Sequence, residues 1–150
     1  MAPITLDIDE LETSYSENKF FYYAPGRYSP DFEERVKSDI DRLASLPENW
    51  DLECAKPIDH AIIDAAKRFI GSLSNYIATV PSVVPSAAGR LQFEWNEGPR
   101  ALELEIETPT TIHYLKWDPE ESVEEEDTFD INNIVRAVSL INWFMRGGYV

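Results

Sequence analysis

Cysteine, histidine and basic residues are all scarce in this sequence, and each scarcity removes a class of explanation. Cys54 is the one cysteine among 150 residues, so no internal disulfide is available, which suits a reducing cytoplasm. The two histidines, His60 and His113, leave few neutral-pH bases, and no Gly-x-Ser-x-Gly elbow accompanies either of them. Gly89, Gly98, Gly147 and Gly148 each stand at the end of an expected element, so no glycine-rich loop cradles a phosphate and no cofactor is expected. No stretch approaches the roughly 20 apolar residues that a membrane span needs. The opening residues lack a basic region followed by a long apolar run, so secretion and membrane insertion are disfavoured and a cytoplasmic location is expected.

Positive charge is the largest deficit. Lysine and arginine total 13 against 28 aspartates and glutamates, a formal charge of −15. A field of that sign repels nucleic-acid phosphates and anionic lipid heads and attracts basic protein surfaces. Direct nucleic-acid and membrane binding are therefore not expected, whereas a basic protein partner is.

What is present is enough to fold. Hydrophobic residues make up 43% of the chain, too many for a disordered polyanion, and a chain of this length buries about 70% of the surface that it exposes when unfolded. Residues 1–28 show neither period. Their aromatic run Phe20-Phe21-Tyr22-Tyr23 reads as part of an extended acidic and aromatic arm.

Residues 29–150 read as one domain. A first helix opens at Ser29-Pro30, carries the stripe Phe32, Val36, Ile40, Leu43 and Ala44, and stops by Pro47. A second opens near Pro57 with Ile58, Ile62, Ala65, Ala66, Phe69, Ile70, Leu73 and Ile77 on its buried face. A proline-rich link, residues 80–85, follows.

From Gly89 the period changes to two. Leu91, Phe93 and Trp95 alternate with polar residues, as do Leu102, Leu104 and Ile106 after the turn Asn96-Glu97-Gly98-Pro99, and Thr111–Trp117 reads as a third strand. Residues 118–127 hold seven acids in ten positions and read as a solvated loop. A last helix is expected from about Asp130, with Ile131, Ile134, Val135, Val138, Ile141 and Met145 inward and Asn142 as a polar interruption beside them. The expected fold is α+β, a three-stranded antiparallel meander packed on one face by about three helices.

The distinctive chemistry lies on the polar face of that meander. Glu103, Glu105 and Glu107 occupy alternate positions of one strand and so point the same way, with Glu94 able to join them from its neighbour. With Glu124, Glu125 and Glu126 from the acidic segment they make a candidate partner-binding surface. Arg90, Arg100 or Lys116 neutralising them within the molecule is the plainer account. His60 and Asp64 share a helix face, which is one half of a metal site and is weak alone, so no metal set is assigned. Asn49-Trp50-Asp51 reads as a structural corner between two helices, the ring plugging the corner and the polar side chains satisfying turn amides.

Leu43–Asp51 with Ala55-Lys56-Pro57, then Pro81 to Pro85, Gly89, Glu94-Trp95 and Leu102–Ile106, resemble a recurring type of short, acidic bacterial protein marked by an Asn-Trp-Asp corner and a Glu-Trp strand. The resemblance spans roughly residues 40–117 and implies no activity. Leu52-Glu53-Cys54 stands where that type carries a glycine-containing segment.

The function expected from these readings is non-enzymatic: an acidic interaction protein that docks a basic protein surface as an inhibitor, an antitoxin-like neutraliser or a nucleic-acid mimic. The alternative is a small hydrolase or metal-dependent enzyme using His60, His113 and carboxylates. Homo-oligomerisation stays open.

Overall fold

The computed structural model describes residues 31–147. The arm at 1–28, the opening Ser29-Pro30 and Gly148 lie outside the described residues. Three helices, α1 (Phe32–Ala44), α2 (His60–Leu73) and α3 (Ile134–Gly147), accompany five strands: β1 (Ser82–Ser86), β2 (Arg90–Glu97), β3 (Arg100–Thr108), β4 (Thr111–Asp118) and β5 (Val123–Asp130). The strands form one antiparallel sheet in chain order, with α2 and α3 on one of its faces and α1 against α2 and β1. The class is α+β, as expected.

The core follows from period. Leu91, Phe93, Trp95, Leu102, Leu104, Ile106 and Ile112 are fully buried beneath Ala66, Phe69, Ile70, Leu73, Leu140 and Ile141. Each large aliphatic or aromatic side chain so buried contributes about 1.5–3 kcal/mol. Trp95 satisfies its one polar atom by donating Nε1 to Thr79 O at 3.0 Å, as a buried indole must. On α1, Phe32, Val36 and Ile40 are buried at helical spacing, and Ser74 Oγ donates to Glu33 Oε1 at 3.2 Å, tying the end of α2 to α1. The cap of α2 is Asp59, whose side chain accepts from Ala61 N, so Pro57 precedes the helix and does not open it.

Five strands replace the expected three. The proline-rich link forms β1, paired with β2 from Ser82↔Glu94 to Ser86↔Arg90. Pro85 is tolerated because β1 is terminal in the sheet, where a missing N–H costs no ladder bond. The supposed acidic loop is a tight turn at 119–122 followed by β5, paired with β4 from Asp118↔Val123 to Thr111↔Asp130. Only Val123 and Phe129 of β5 are apolar, so a period of two never appears in its hydrophobicity. The last helix starts at Ile134, after a backbone bond from Ile131 N to Thr110 O. The helix buries Ala137, Val138, Leu140, Ile141, Phe144 and Met145, a stripe that leaves Val135 outward, 80% exposed, against the expectation that it is buried.

The connection from α1 to α2 is a knot of local bonds. Asn49 Oδ1 accepts from Cys54 N at 2.7 Å, Asp51 Oδ1 from Glu53 N and Ala55 N, and Trp50 Nε1 donates to Lys56 O at 2.9 Å. Lys56 N and Asp59 N then bond to Ala87 O and Gly89 O in the β1–β2 turn. A Cβ at Gly89 would sit 3.0 Å from Pro57 O, and its φ is +86°, so any other residue there would both crowd that carbonyl and strain the backbone. Asn49, Leu52 and Cys54 hold φ of 61°, 64° and 70°, the left-handed region that non-glycine residues enter at a cost. The glycine-type backbone of the corner is thus kept here by ordinary side chains.

At the other end of the sheet Asp118 organises the β4–β5 turn. Its side chain, 2% exposed, accepts from Arg100 Nε at 2.9 Å and from Glu120 N and Glu121 N. Burial alone pushes the carboxyl upward, but the Arg100 bond and the two backbone bonds outweigh it and hold Asp118 below its ordinary range.

Two outcomes are expected. Leu52→Gly, at a side chain 85% exposed, relieves left-handed strain with no loss of packing and stabilises by roughly 0.5 kcal/mol after the entropy that glycine adds to the unfolded chain, measured by urea unfolding. A carboxyl held low in the fold stabilises above its unfolded value and loses that contribution as pH falls through the folded one. Asp118→Asn therefore lowers the unfolding midpoint at neutral pH, and the gap to the parent closes below about pH 4.

Candidate binding surface on the open sheet face

Because Leu91, Phe93, Trp95, Leu102, Leu104 and Ile106 face the helices, the residues between them face away. Glu94 stands directly opposite Glu103, and Gln92 opposite Glu105. Across the next ladder Leu115 stands opposite Glu103 and His113 opposite Glu105. Beyond them Glu126 pairs with Leu115 and Glu124 with Trp117. One open face therefore gathers Glu94 from β2, Glu103 and Glu105 from β3, and Glu124 and Glu126 from β5, with Glu107 at the end of the β3 row.

These acids are partnered unequally. Glu94 accepts from Gln92 Nε2 at 2.6 Å. Arg90 serves both Glu105 and Glu107, at 3.9 and 3.8 Å, too far for a tight bidentate pair. Glu126 lies 3.3 Å from His113 Nε2. Among the described residues no cation pairs with Glu103. Burial first, then the charges of Glu94 and Glu105, raise its pKa, against a smaller lowering by His113.

Glu125 does not join this face. Alternation sends it to the helix side, where it accepts from Tyr114 Oη at 2.5 Å and lies 3.4 Å from Arg136 Nη2. The Tyr114 bond is the largest cause of its lowered pKa, ahead of the opposing effect of burial and the aid of Lys116 and Arg136. Asn49, Trp50 and Asp51 are engaged in the corner described above, away from the glutamates in sequence and bonding. Of the internal cations weighed for the glutamate row, Arg90 alone reaches it. Arg100 and Lys116 point to the helix side, to Asp118 and Glu125.

Sequence reasoning passed over two apolar members of the face. Leu115 is half-buried and Trp117 is 46% exposed, set among the glutamates by the same ladders. Their signal was available: β4 is apolar inward at Ile112 and Tyr114 and apolar again outward at Leu115 and Trp117, which a strand with one dry side has no need to be.

His60 is exposed at the first position of α2. Among the described residues no three His, Cys, Asp or Glu side chains converge to hold a metal ion, and no helix is long and apolar enough to cross a membrane.

Directly opposed like charges cost a sheet about 0.2–1 kcal/mol, and a carboxyl whose folded pKa is raised destabilises progressively as pH rises through the unfolded and then the folded value. Glu103→Gln is accordingly expected to raise stability at neutral pH by about 0.5 kcal/mol. Its advantage should vanish in acid, where Glu103 is protonated in either state; thermal unfolding at both pH values checks this. No family model matches this chain, and neither a curated protein nor a solved structure does.

Proposed function

We propose that this protein is a non-enzymatic interaction module that docks a basic protein surface on its open sheet face, as an inhibitor, neutraliser or nucleic-acid mimic. The observation that carries the reading is Glu103. It sits mid-face, flanked by Glu94 and Glu105, partly desolvated, and without a paired cation among the described residues. An arginine or lysine brought by a partner would relieve this repulsion and gain a charge-assisted bond in one step.

Leu115 and Trp117 support the same reading. An interface needs a desolvated anchor as well as charge, and exposed tryptophan is a frequent hot spot. The acids around them would steer a basic partner and set its register, while the indole would supply contact area. The net charge of −15 adds long-range attraction that salt weakens.

The test is capture of binding proteins from cell extract on immobilised protein, with identification of what binds. A basic protein is expected that leaves at about 0.5 M salt, is lost with the pair Glu103→Lys and Glu105→Lys, and is weakened at least about tenfold by Trp117→Ala. Retention of every captured protein by the charge-reversed pair, without salt dependence, overturns the reading.

A further inference from the structure

The opposite side of the sheet carries chemistry of the other sign. A groove of about 590 Å³ runs between α3 and the ends of β3 and β4, lined by Arg100, Lys116, Arg136, Arg146, Trp143 and exposed Val135 among others. Among the described residues its lining holds four cations and no carboxylate, in a chain where acids outnumber bases 28 to 13. Its size falls within the usual range of small-molecule sites.

The cations are held in place from behind. Arg100 is fixed by Asp118 through Nε and by a bond from Nη1 to Trp143 O, and its guanidinium lies 4.5 Å from the centre of the Trp143 ring. Lys116 Nζ lies 4.8 Å from the same ring and 3.8 Å from Glu125. Arg136 donates to Tyr114 Oη at 2.6 Å and lies 5.0 Å from that ring. These contacts occupy two of the five N–H donors of Arg100 and leave the rest for another acceptor. The side chains of Arg100 and Lys116 are each only 17% exposed, so their charge acts in a poorly screened setting.

We propose that this groove binds a small organic anion, a carboxylate or phosphate head on an apolar body. The head would lie among Arg100, Lys116 and Arg136, and the body against Trp143 and Val135. A polyanion is disfavoured because the field of the whole molecule opposes each additional negative charge at long range, whereas one or two charges meet the groove's own field on arrival. The proposal is independent of the glutamate face.

The test is a titration of the full chain with phenyl phosphate, followed through the Trp143 indole N–H resonance, with benzoate and benzyl alcohol in parallel. Saturable binding of phenyl phosphate or benzoate is expected, and whichever is tighter names the head group. Lys116→Met, which keeps the aliphatic stem, and Arg136→Gln should each weaken it about tenfold, the loss of one charge-assisted contact. Arg90→Ala, on the far face, should leave it unchanged. Two variants guard against a change that disturbs folding, which the amide spectrum reports. Shifts that stay linear in ligand, equal affinity in both groove variants, or benzyl alcohol binding as tightly as the anions would overturn the site.

Discussion

Burial of one side of an antiparallel sheet decides where every charge on this molecule goes. The inner residues of β2 and β3 each contribute about 1.5–3 kcal/mol by leaving water, while opposing like charges on the outer side cost about 0.2–1 kcal/mol per pair. The first term wins at every position, so the glutamates of β3 stay together on the outside although they repel. A shift of one residue in the β2–β3 register would exchange Leu102, Leu104 and Ile106 for Glu103, Glu105 and Glu107 in the core, which the helices cannot accommodate. The acidic face is thus a by-product of the core's register, and the same register makes it rigid.

The same alternation divides β4 and β5 into two chemistries. Outward, Leu115, Trp117, Glu124 and Glu126 extend the glutamate face. Inward, Lys116 and Glu125 belong to the network of Tyr114, Arg136 and Trp143 beneath α3. A net charge of −15 therefore describes neither side well. On the helix side Asp118 and Glu125 are spent on orienting Arg100, Lys116 and Arg136, so the part of that side beside α3 presents cationic heads while the open face presents acids.

Most of this core was legible in the sequence because it obeys a period. The stripes of α1 and α2 and the inner residues of β2, β3 and β4 stand where alternation or helical spacing puts them. What escaped has a physical cause in each case. β1 contains a proline that only a terminal strand tolerates, and β5 is so acidic that its pairing with β4 leaves almost no hydrophobic trace. The start of α3 is displaced because Ile131 is buried as part of the turn before the helix, which makes the apolar run begin three residues ahead of the helix. In a loop, which has no sides, Glu125 groups with its neighbours; once 123–130 is a strand, adjacent residues must part. The left-handed backbone at Leu52 and Cys54 could not be read from residues that ordinarily avoid it.

The two terminal strands of the described sheet also bear on how copies of this chain meet. An unpaired strand edge is a template for adding another strand. Here one edge is interrupted by Pro85, which offers no N–H, and the other carries Glu124, Glu125, Glu126 and Asp127 in succession. A second copy aligning along β5 would stack four acids against four more. The irregular ends of the sheet, which hide both strands from sequence reading, therefore discourage edge-to-edge growth into fibres and leave the open glutamate face as the side of the sheet available for association.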